Sequence, residues 1–450
     1  MQPRLRIAVI GSGISGLSAA WLLSRRHEVT LMEAEARPGG HSHTFDVSAH
    51  GRTIPVDTGF IVYNPESYPN LVALFDRLSV PTTSTNMSFA VSMSGGAYEY
   101  AGSGVHTLFG QARNLIRPAH WRMVLDTLRF FREAPELLAA DAAASETLGA
   151  YLSRRGYSSS FVTRHIAPMA AAIWSTPAVK VLDFPAAAFV RFFANHGLLR
   201  LKGRPQWRTV VGGSRAYVRR LLADTKSEQV MGARAQRITR THCGISIRSA
   251  RGLRHFDACV IATHADEALR MLGDADGEER RLLGAFRYVT NHVVLHQDER
   301  VMPRRRRLWS SWNYTADPGE GAQPASVTYW MNSLQPLGER APNLFVSLNP
   351  GAAIAPSKIV ATFRYAHPVF DAASIEAQRD LWRLQGRRNT WFCGSYFGYG
   401  FHEDGLQSGL AVAEDIGGVR RPWSVPNESD RLHLAPAVER FPVHAVEAAE

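Results

Sequence analysis

The stretch RIAVIGSGISGLSAAWLLSRRHEVTLME, residues 6–33, decides the fold. It opens with an uncharged apolar run, which predicts one buried parallel strand. Gly11, Gly13 and Gly16 follow with the spacing G-x-G-x-x-G, and the next residues carry an apolar helical face. A second apolar run then ends on Glu33. A strand, a glycine turn, a helix and a strand ending in an acid predict a Rossmann-like α/β unit that binds a dinucleotide.

Each of these positions has a physical role in such a site. Gly11 permits the tight turn, Gly13 lets a pyrophosphate approach the backbone, and Gly16 lets the helix and strand pack closely. The helix N-terminus offers free amides and a positive dipole end to phosphate. We expect the Glu33 carboxylate to accept hydrogen bonds from ribose hydroxyls. The alternative is a glycine-rich turn in an ordinary α/β unit.

The composition is that of an ordinary soluble globular protein. The chain has 450 residues, of which 45% are hydrophobic and 20% charged, enough for about three average domains or two larger interleaved ones. No apolar run reaches the roughly 18 residues of a membrane span, and the glycine turn explains the apolar start better than a signal peptide does. Cys243, Cys259 and Cys393 have no metal-binding spacing, and three cysteines cannot all pair within one chain. We therefore expect no metal site and a reducing cytoplasm.

The formal charge of +11 comes almost entirely from arginine, because the chain has only four lysines. Such a charge suits an anionic membrane surface, nucleic acid or an acidic soluble substrate. The arginines are scattered and no nucleic-acid module is recognisable, so we expect no nucleic-acid partner. The densest basic run, residues 304–307, is either a solvated loop or a contact with lipid headgroups.

Two further regions are rich in large apolar residues. After a helix predicted within residues 69–81 and a hairpin within 82–100, residues 111–144 carry a bulky apolar helical face flanked by arginines. This pattern suits a membrane interface, although docking on the protein's own domain is the alternative. Residues 161–193 are almost continuously apolar, which suits a tunnel for a long apolar substrate or simply a helical core.

Two segments after the first α/β unit resemble the flavin-containing amine oxidase superfamily. They are the glycine pair Gly39 and Gly40 and the sequence DTG at residues 57–59. In that superfamily the glycine pair wraps the diphosphate of FAD, and the D-x-G segment passes close to the isoalloxazine ring. Its members usually follow the glycine pair with arginine, whereas here His41 stands in that place, so backbone amides would have to replace the arginine contact. The resemblance implies FAD as the cofactor and not NAD.

The stretch at residues 389–418 resembles the closing FAD motif of the same superfamily. The resemblance implies a strand ending at Gly394 and a helix near Glu403 whose N-terminus points at the flavin, although Glu403 could instead cap its own helix. It also implies that strands at 235–241, 244–249 and 258–262 form a small sheet at the adenine end. We read Cys393 as core packing and not as a flavin linkage. The predicted cofactor-binding residues are Gly11, Gly13, Ile14, Ser15, Gly16, Glu33, Ala34, Gly39, Gly40, His41, Thr58, Gly59, Ala235, Ala262, Gly394, Glu403, Asp404, Gly405 and Ser408.

The strings VDTGFIVYN, AAIWSTP, SWNY, LNP, YAHPVF and GFHEDGL resemble a narrower branch, the FAD-binding proteins that accompany cyclopropane-fatty-acid synthases. That branch implies oxidation, or desaturation, of a methylated or unsaturated acyl chain of a phospholipid by hydride transfer to the flavin. A lipid methyltransferase is a possible partner under this resemblance. From the cysteines and the basic charge we expect a cytoplasmic protein, with peripheral contact to the inner membrane face as one alternative. The alternatives are an amine oxidase acting on a small amine and a non-catalytic flavoprotein partner of the methyltransferase.

Desaturation needs a base near the flavin, and imidazole titrates near neutral pH. Many amine oxidases hold a water on the flavin with a lysine, but the position aligned by eye falls on Asn291 or His292, which argues against ordinary amine oxidation. His264 is a further candidate base. The main catalytic candidates are His41, His43, His367 and His402, with Tyr365 and Phe401 as walls of the site.

The predicted fold is therefore α/β, with a Rossmann-like FAD-binding domain interleaved with an α+β substrate domain. The predicted boundaries are the FAD-binding domain at 1–80, 205–270 and 385–420, the substrate domain at 81–204 and 271–384, and a tail at 421–450.

Overall fold

The computed structural model describes residues 4–139, 146–174, 180–241, 244–316 and 326–434. Cys243 and parts of the predicted regions 111–144, 161–193 and 421–450 lie outside the described residues. The strands are β1 (Arg6–Ile10), β2 (Glu28–Met32), β3 (Thr44–Ala49), β4 (Arg52–Asp57), β5 (Thr82–Ser84), β6 (Phe89–Met93), β7 (Tyr98–Ala101), β8 (Arg208–Val210), β9 (Ser227–Val230), β10 (Ala235–Thr241), β11 (Gly244–Ser249), β12 (Gly252–Phe256), β13 (Ala258–Ile261), β14 (Arg287–His296), β15 (Trp312–Ala316), β16 (Ser326–Trp330), β17 (Phe345–Leu348), β18 (Ile359–Val369) and β19 (Thr390–Phe392). The α-helices are α1 (Ile14–Leu23), α2 (Pro69–Arg77), α3 (Val105–Leu108), α4 (Pro118–Glu133), α5 (Glu136–Ala139), α6 (Leu148–Arg154), α7 (Ser159–Phe161), α8 (Ala167–Trp174), α9 (Ala186–Asn195), α10 (Arg215–Ala223), α11 (Ala265–Met271), α12 (Gly277–Leu283), α13 (Met331–Leu334), α14 (Ala372–Asp380) and α15 (His402–Ile416).

A five-stranded parallel sheet forms the centre of the first domain. Its strand order is β19-β13-β1-β2-β9, and every neighbouring pair is parallel. β1 and β2 are buried along four of their five residues, because helix α1 packs on this sheet and strands β11 and β12 also contact it. The prediction of a Rossmann-like α/β unit is confirmed.

Helices α1 and α15 cross at very short range beside this sheet. A Cβ at Gly409 would lie 2.2 Å from the carbonyl oxygen of Ser15, and one at Gly405 would lie 2.8 Å from the Ser15 hydroxyl. Only glycine permits this crossing, so the small residues of the closing motif serve first to join the end of the chain to its beginning.

The small antiparallel sheet predicted at the adenine end consists of β10, β11 and β12. The first two strands were predicted correctly. The prediction placed residues 258–262 third, but β13 pairs with β1 and β19 in the parallel sheet. The reason is burial: all four residues of β13 are buried, whereas the edge strand β12 is largely exposed.

A seven-stranded sheet of order β18-β14-β17-β16-β15-β6-β7 forms the centre of the second domain. All its pairs are antiparallel except β15 with β6. Its strands come from two separate parts of the chain, residues 89–101 and 287–369. This confirms an α+β domain interleaved with the first one, while the predicted boundaries stay predictions.

Residues 419–434, predicted as part of a tail, pack against the first domain. The buried Arg421 guanidinium pairs with Glu414 and donates to the Asn70 side chain, and the buried Arg431 pairs with Asp404. These contacts depend on single long side chains, which leave no periodic pattern in the sequence. Within the described residues, no helix combines the length and the apolar character needed to cross a bilayer.

Candidate functional site

A cavity of about 970 Å³ is lined by residues of both large sheets. One part of its wall consists of the glycine turn after β1, the end of β2 and the first turn of α1. The other part consists of side chains from β6, β15, β16 and β18 and from helices α8 and α9. The cavity is therefore placed where a dinucleotide on the first domain meets a substrate on the second.

The three glycines of the turn have different surroundings. Gly11 has a φ of +101°, and a Cβ there would lie 2.7 Å from the Ala262 carbonyl oxygen. A Cβ at Gly16 would lie 1.9 Å from the carbonyl oxygen of Gly11. Gly13 lines the cavity and has no atom within 4 Å of its Cβ position. Gly11 and Gly16 therefore serve the fold, and Gly13 keeps space open for a ligand.

Glu33 is held in place at the cavity wall by main-chain donors. Its carboxylate accepts from the Ser12 amide at 2.8 Å and from the Glu35 amide at 2.9 Å. Ser12, which the sequence analysis did not single out, also lines the cavity. Ile14, Ser15, Ala34, Ala235 and Ala262 line it as expected.

The glycine pair lies directly below the glycine turn. Gly40 lines the cavity, and a Cβ on it would lie 3.1 Å from the Gly13 Cα. Gly39 lies behind it and donates its amide to the Ser12 carbonyl at 3.0 Å. Arg37, which was not among the predicted site residues, lines the cavity and donates to the Gly40 carbonyl at 2.9 Å. A guanidinium is thus present close to the position where the superfamily has its arginine.

The DTG segment is paired with the residues that follow the glycine pair. The Thr58 amide donates to the His43 carbonyl, and a Cβ at Gly59 would lie 2.2 Å from the His41 carbonyl oxygen. Thr58 and Gly59 both line the cavity. The two predicted FAD segments therefore form one continuous strip of wall.

Asp57 joins this strip to both domains. Its buried carboxylate accepts from the Ser214 amide at 2.8 Å, from the Thr44 hydroxyl at 2.6 Å and from the Gln335 side-chain amide at 2.7 Å. Burial raises the pKa of Asp57 to about 6, against an ordinary value of 3.8. Asp57 does not line the cavity, so its role is to position Thr58 and Gly59.

His41 lies at the meeting point of the two cavity walls. Its ring centroid is 5.1 Å from that of Tyr365, 5.5 Å from that of His367 and 6.2 Å from that of His264. Burial, with a smaller contribution from the neighbouring histidines, lowers the pKa of His41 well below its ordinary value. Its Nε2 atom is buried without a hydrogen-bond partner in the described structure, and the residue lines the cavity.

Tyr365 carries a hydroxyl with two polar neighbours. It lies 2.6 Å from His43 Nδ1 and 2.7 Å from the Thr58 hydroxyl. Tyr365 lines the cavity, but His43 does not and lies behind Tyr365, so the role of His43 as a base stays a prediction. Burial lowers the pKa of His43 to about 4 and raises that of Tyr365 to about 12. The pair is therefore neutral around pH 7, and His43 orients Tyr365.

The other two histidine candidates are also neutral and already have partners. His367 Nδ1 lies 2.9 Å from the side-chain nitrogen of the buried Asn291, one of the two residues at which the superfamily's lysine position was placed. His402 stacks on Phe60 with centroids 3.7 Å apart, and its Nε2 lies 2.8 Å from the Tyr217 hydroxyl. Burial lowers the pKa of His367 to about 4 and that of His402 to about 3.

The closing motif contributes less of the wall than predicted. Gly394, Phe401 and His402 line the cavity, together with Tyr399. Glu403, Asp404, Gly405 and Ser408 do not, and neither do Gly16 and Gly39. The side chains of Glu403, Asp404 and Ser408 already have hydrogen-bond partners within the protein, and the cofactor contact of all six residues stays a prediction.

Glu403 and Ser408 of the closing motif are hydrogen-bonded within the protein. The Glu403 carboxylate accepts from the Asn70 and Leu71 amides, each at 3.0 Å, so it caps α2 and not its own helix. Ser408 accepts from the Gly394 amide at 3.0 Å. The partners of Glu403 lie more than three hundred positions away and outside the motif, whereas Ser408 and Gly394 both belong to it.

The substrate-domain part of the wall is built from large apolar side chains. Trp174 and Phe192 lie with ring centroids 4.7 Å apart, and Phe192 stacks on Phe401 at 4.9 Å. Trp312 and Tyr329, opposite each other on neighbouring strands, lie 5.2 Å apart. The apolar side chains of this wall are Met87, Phe89, Met169, Ile173, Trp174, Phe192, Leu198, Trp207, Trp312, Tyr329 and Leu348. Of these, the α8–α9 segment and the strings SWNY and LNP, which contain Trp312 and Leu348, were singled out in the sequence. The others were not, although alternation along β15 and β16 indicates which side chains share a face.

The residues at the first-domain wall fit FAD. The open space beside Gly13 and the N-terminus of α1 suit a diphosphate, the Glu33 carboxylate can accept from a ribose, and the unpartnered buried His41 Nε2 is the kind of atom that a bound ligand satisfies. The described residues hold no cluster of histidine, cysteine and acidic side chains suited to a metal ion.

Comparisons with known proteins agree with this assignment. Residues 14–338 match the family model of the flavin-containing amine oxidoreductases. No curated protein sequence matches the chain significantly. Among solved structures, putrescine oxidase bound to putrescine has a TM-score of 0.66 at 15% identity and covers 92% of this chain and 99% of its own.

Two further solved structures share the fold. A fatty acid isomerase from P. acnes, described as producing CLA, has a TM-score of 0.64 at 17% identity, covering 92% of this chain and 98% of its own. Cyclohexylamine oxidase from Brevibacterium oxydans IH-35A has a TM-score of 0.61 at 15% identity, covering 92% of this chain and 100% of its own. The chain belongs to the flavin-containing amine oxidoreductase family, and it is an FAD-dependent oxidoreductase.

Proposed function

We propose that the protein oxidises, by desaturation, a methylated or unsaturated acyl chain of a phospholipid. The observation that carries the proposal is the apolar wall of the cavity on the substrate-domain side. Burial of an acyl chain against such a wall gains roughly 0.8 kcal/mol per methylene. A fatty acid isomerase shares this fold, and the sequence strings that resemble the proteins accompanying cyclopropane-fatty-acid synthases support the same substrate class.

The distribution of carboxylates supports an uncharged substrate. Among the described residues that line the cavity, the acidic ones are Glu33, Glu35 and Glu267, which belong to the first domain. The wall formed by α8, α9, β15 and β16 contributes no carboxylate within those described residues. An ammonium group there would lose its hydration without gaining an ion pair, so the wall favours an acyl chain over a small amine.

The chemistry balances with one two-electron acceptor. When bound, FAD supplies the acceptor for a hydride from one substrate carbon, and oxygen or a quinone takes the electrons afterwards. The adjacent carbon loses a proton, which passes to a base on the protein. The apolar wall holds the chain and excludes water, so that orientation supplies much of the rate.

His41 and His367 are the imidazoles that we propose as proton acceptors. Both line the cavity and both are neutral at pH 7, because burial lowers the pKa of each. His41 is the stronger candidate, since its Nε2 has no partner in the described structure whereas His367 Nδ1 faces Asn291. Tyr365, oriented by His43 and Thr58, borders the same space.

The test is anaerobic reduction of the purified FAD-loaded protein, followed through the flavin absorbance at about 450 nm. Phospholipids with methylated, unsaturated and saturated chains are added in turn, and then a panel of polyamines and aromatic amines. Bleaching by methylated or unsaturated lipid, with product analysis showing a new double bond, is the expected result. Bleaching by an amine alone overturns the substrate class. Bound FAD that no substrate reduces would favour a non-catalytic partner of a lipid methyltransferase.

A further inference from the structure

Helix α4 and the turn before it expose large apolar side chains to solvent. Trp121, Leu125 and Leu128 have the spacing i, i+4, i+7 and are 44%, 59% and 43% exposed. Leu115 and Ile116, in the preceding 3₁₀ turn, are 54% and 83% exposed. We call these five residues the α4 surface. Isolated exposed apolar residues need no explanation, but a contiguous group marks an interaction site.

The opposite face of α4 shows that this exposure is not an ordinary amphipathic arrangement. The buried residues of the helix are His120, Met123, Asp126 and Phe130. Two of these four can carry charge, while the outer stripe consists of tryptophan and leucine. Val124 and Phe131 are also packed, partly buried, against the core. Helix α4 therefore carries apolar side chains on two faces, and the chain covers only one of them.

The contacts of Trp121 make the surface continuous. Its indole nitrogen donates to the Leu115 carbonyl at 2.9 Å, which ties the 3₁₀ turn to the helix. Its ring lies against Phe109, with centroids 4.8 Å apart. The side chain thus combines an apolar body with a satisfied polar atom, which is the arrangement that tryptophan has at membrane–water boundaries.

The charge around the α4 surface identifies its partner. Residues 105–133, which run to the end of α4, contain five arginines and two acids. Asp126 is buried and paired with Arg122 at 3.5 Å, and Glu133 pairs with Arg129 at 3.0 Å and with Arg132 at 3.5 Å. Arg113, Arg122 and Arg132 are exposed. Each basic residue near an anionic lipid surface adds about 1 kcal/mol of attraction. A second copy of this chain fits poorly, because a twofold interface would place this arginine-rich surface against itself.

We propose that the α4 surface docks on an anionic phospholipid membrane. The apolar stripe lies at the boundary of headgroups and acyl chains, α4 lies parallel to the membrane plane, and the exposed arginines contact lipid phosphates. On the buried side of α4, the ring centroid of Phe130 lies 6.5 Å from that of Phe189, which in turn lies 5.6 Å from that of Trp174. Trp174 lines the cavity. Three aromatic side chains in succession therefore connect the buried face of α4 with the apolar wall of the cavity. The proposal does not depend on which substrate is oxidised.

The residues 304–307, which the sequence suggested as a lipid contact, are a weaker candidate. Arg305 pairs with the fully buried Glu99, and the Arg304 side chain packs on Gly96. Arg306 lies over the ring of Trp309 at 4.8 Å. Most of this run is thus committed to the fold, and Arg306 and Arg307 serve as a matched basic control.

The test is co-sedimentation of the FAD-loaded protein with vesicles of phosphatidylcholine containing about one third phosphatidylglycerol. We expect the double variant Ile116→Asp with Leu125→Asp to lower the vesicle affinity by at least about tenfold. The control, Val289→Asp with Ile359→Asp, changes two apolar residues elsewhere that are also exposed, at 43% and 39%, and should bind like the wild type. Because all four side chains are exposed, flavin content and Tm should be retained.

A charge series separates the membrane from other occupants. Arg113→Ser with Arg132→Ser should weaken binding to the anionic vesicles, and added salt should remove the difference. Arg306→Ser with Arg307→Ser should have no such effect. Unchanged vesicle binding by the α4 double variant overturns the proposal. So does sedimentation velocity that shows a wild-type dimer which Leu125→Asp dissociates, because the α4 surface would then be covered by a second copy.

Discussion

The two parts of the cavity wall are built from opposite kinds of residue. The first-domain part consists of glycines, main-chain amides and the Glu33 carboxylate, whereas the substrate-domain part consists of large side chains such as Trp174, Phe192 and Trp312. A diphosphate and ribose are recognised by main-chain donors and close approach, and an apolar substrate is recognised by volume and contact. The first kind of wall is constrained residue by residue, while the second tolerates changes of similar volume.

The strongest test of this comparison uses two glycines of the same turn. Gly16→Val should destabilise the protein by at least about 3 kcal/mol, because its Cβ would lie 1.9 Å from the Gly11 carbonyl oxygen. Gly13→Val should leave the Tm of the flavin-free protein unchanged but abolish FAD retention, because its side chain would fill open space in the cavity. Thermal melts and flavin absorbance per protein measure the two effects.

Gly277→Val is the matched control, since its Cβ position also has no atom within 4 Å but lies outside the cavity. It should keep both Tm and flavin. Full flavin occupancy in Gly13→Val would remove this position from the cofactor site.

The next largest effect is expected on stability, from Asp57, whose hydrogen bonds join the two domains. The folded pKa of Asp57, about 6, lies above its ordinary value of 3.8, so the folded state holds the proton more tightly than the unfolded state does. The stabilisation that protonated Asp57 adds to the free energy of unfolding is therefore fully present below about pH 4. It is lost as the pH rises to about 6, and the total change is about 3 kcal/mol. Denaturant titrations between these pH values should show this decline in the wild type and a flatter profile in Asp57→Asn. Equal slopes would show that Asp57 is already ionised throughout this range.

A charge placed in the apolar wall tests the substrate class. Met169→Asp should raise the KM for an acyl substrate by at least about tenfold, because an apolar chain cannot satisfy the carboxylate. Flavin occupancy should not change, since Met169 belongs to the substrate-domain wall. Met231→Asp, outside the cavity, is the control. If the new carboxylate instead lowers the KM for an amine and leaves lipid turnover intact, the wall does not select the substrate in the way proposed.

The smallest effect is expected from the hydroxyl of Tyr365, which lies between the two parts of the cavity wall. Tyr365→Phe removes the group that lies beside His43 and Thr58, at a cost of about 1 kcal/mol for one hydrogen bond, or about fivefold in kcat. FAD content and KM should change little. Tyr157→Phe, which loses a bond to Glu133 away from the cavity, should leave kcat unaltered. An equal loss in both variants would assign Tyr365 a purely structural role.

The first-domain wall was predictable from local sequence because its function depends on the backbone. The spacing of Gly11, Gly13 and Gly16 and the acid at the end of β2 are consequences of local geometry, and the DTG segment is near the cofactor wall for the same reason. The fold class and FAD were predicted from these residues and are confirmed. The Glu403 and Asp404 side chains, which were predicted to contact the cofactor, are bonded to residues outside the closing motif, Leu71 and Arg431, and their cofactor contact stays a prediction.

Those partners were decided by tertiary structure alone. Glu403 caps α2 because α15 and α2 pack together, a contact between residues more than three hundred positions apart. The same holds for His43, which supports Tyr365 from behind the cavity wall. The outward direction of Trp121, Leu125 and Leu128 also required the structure, because helical periodicity shows that these residues share a face but not which face the rest of the chain covers.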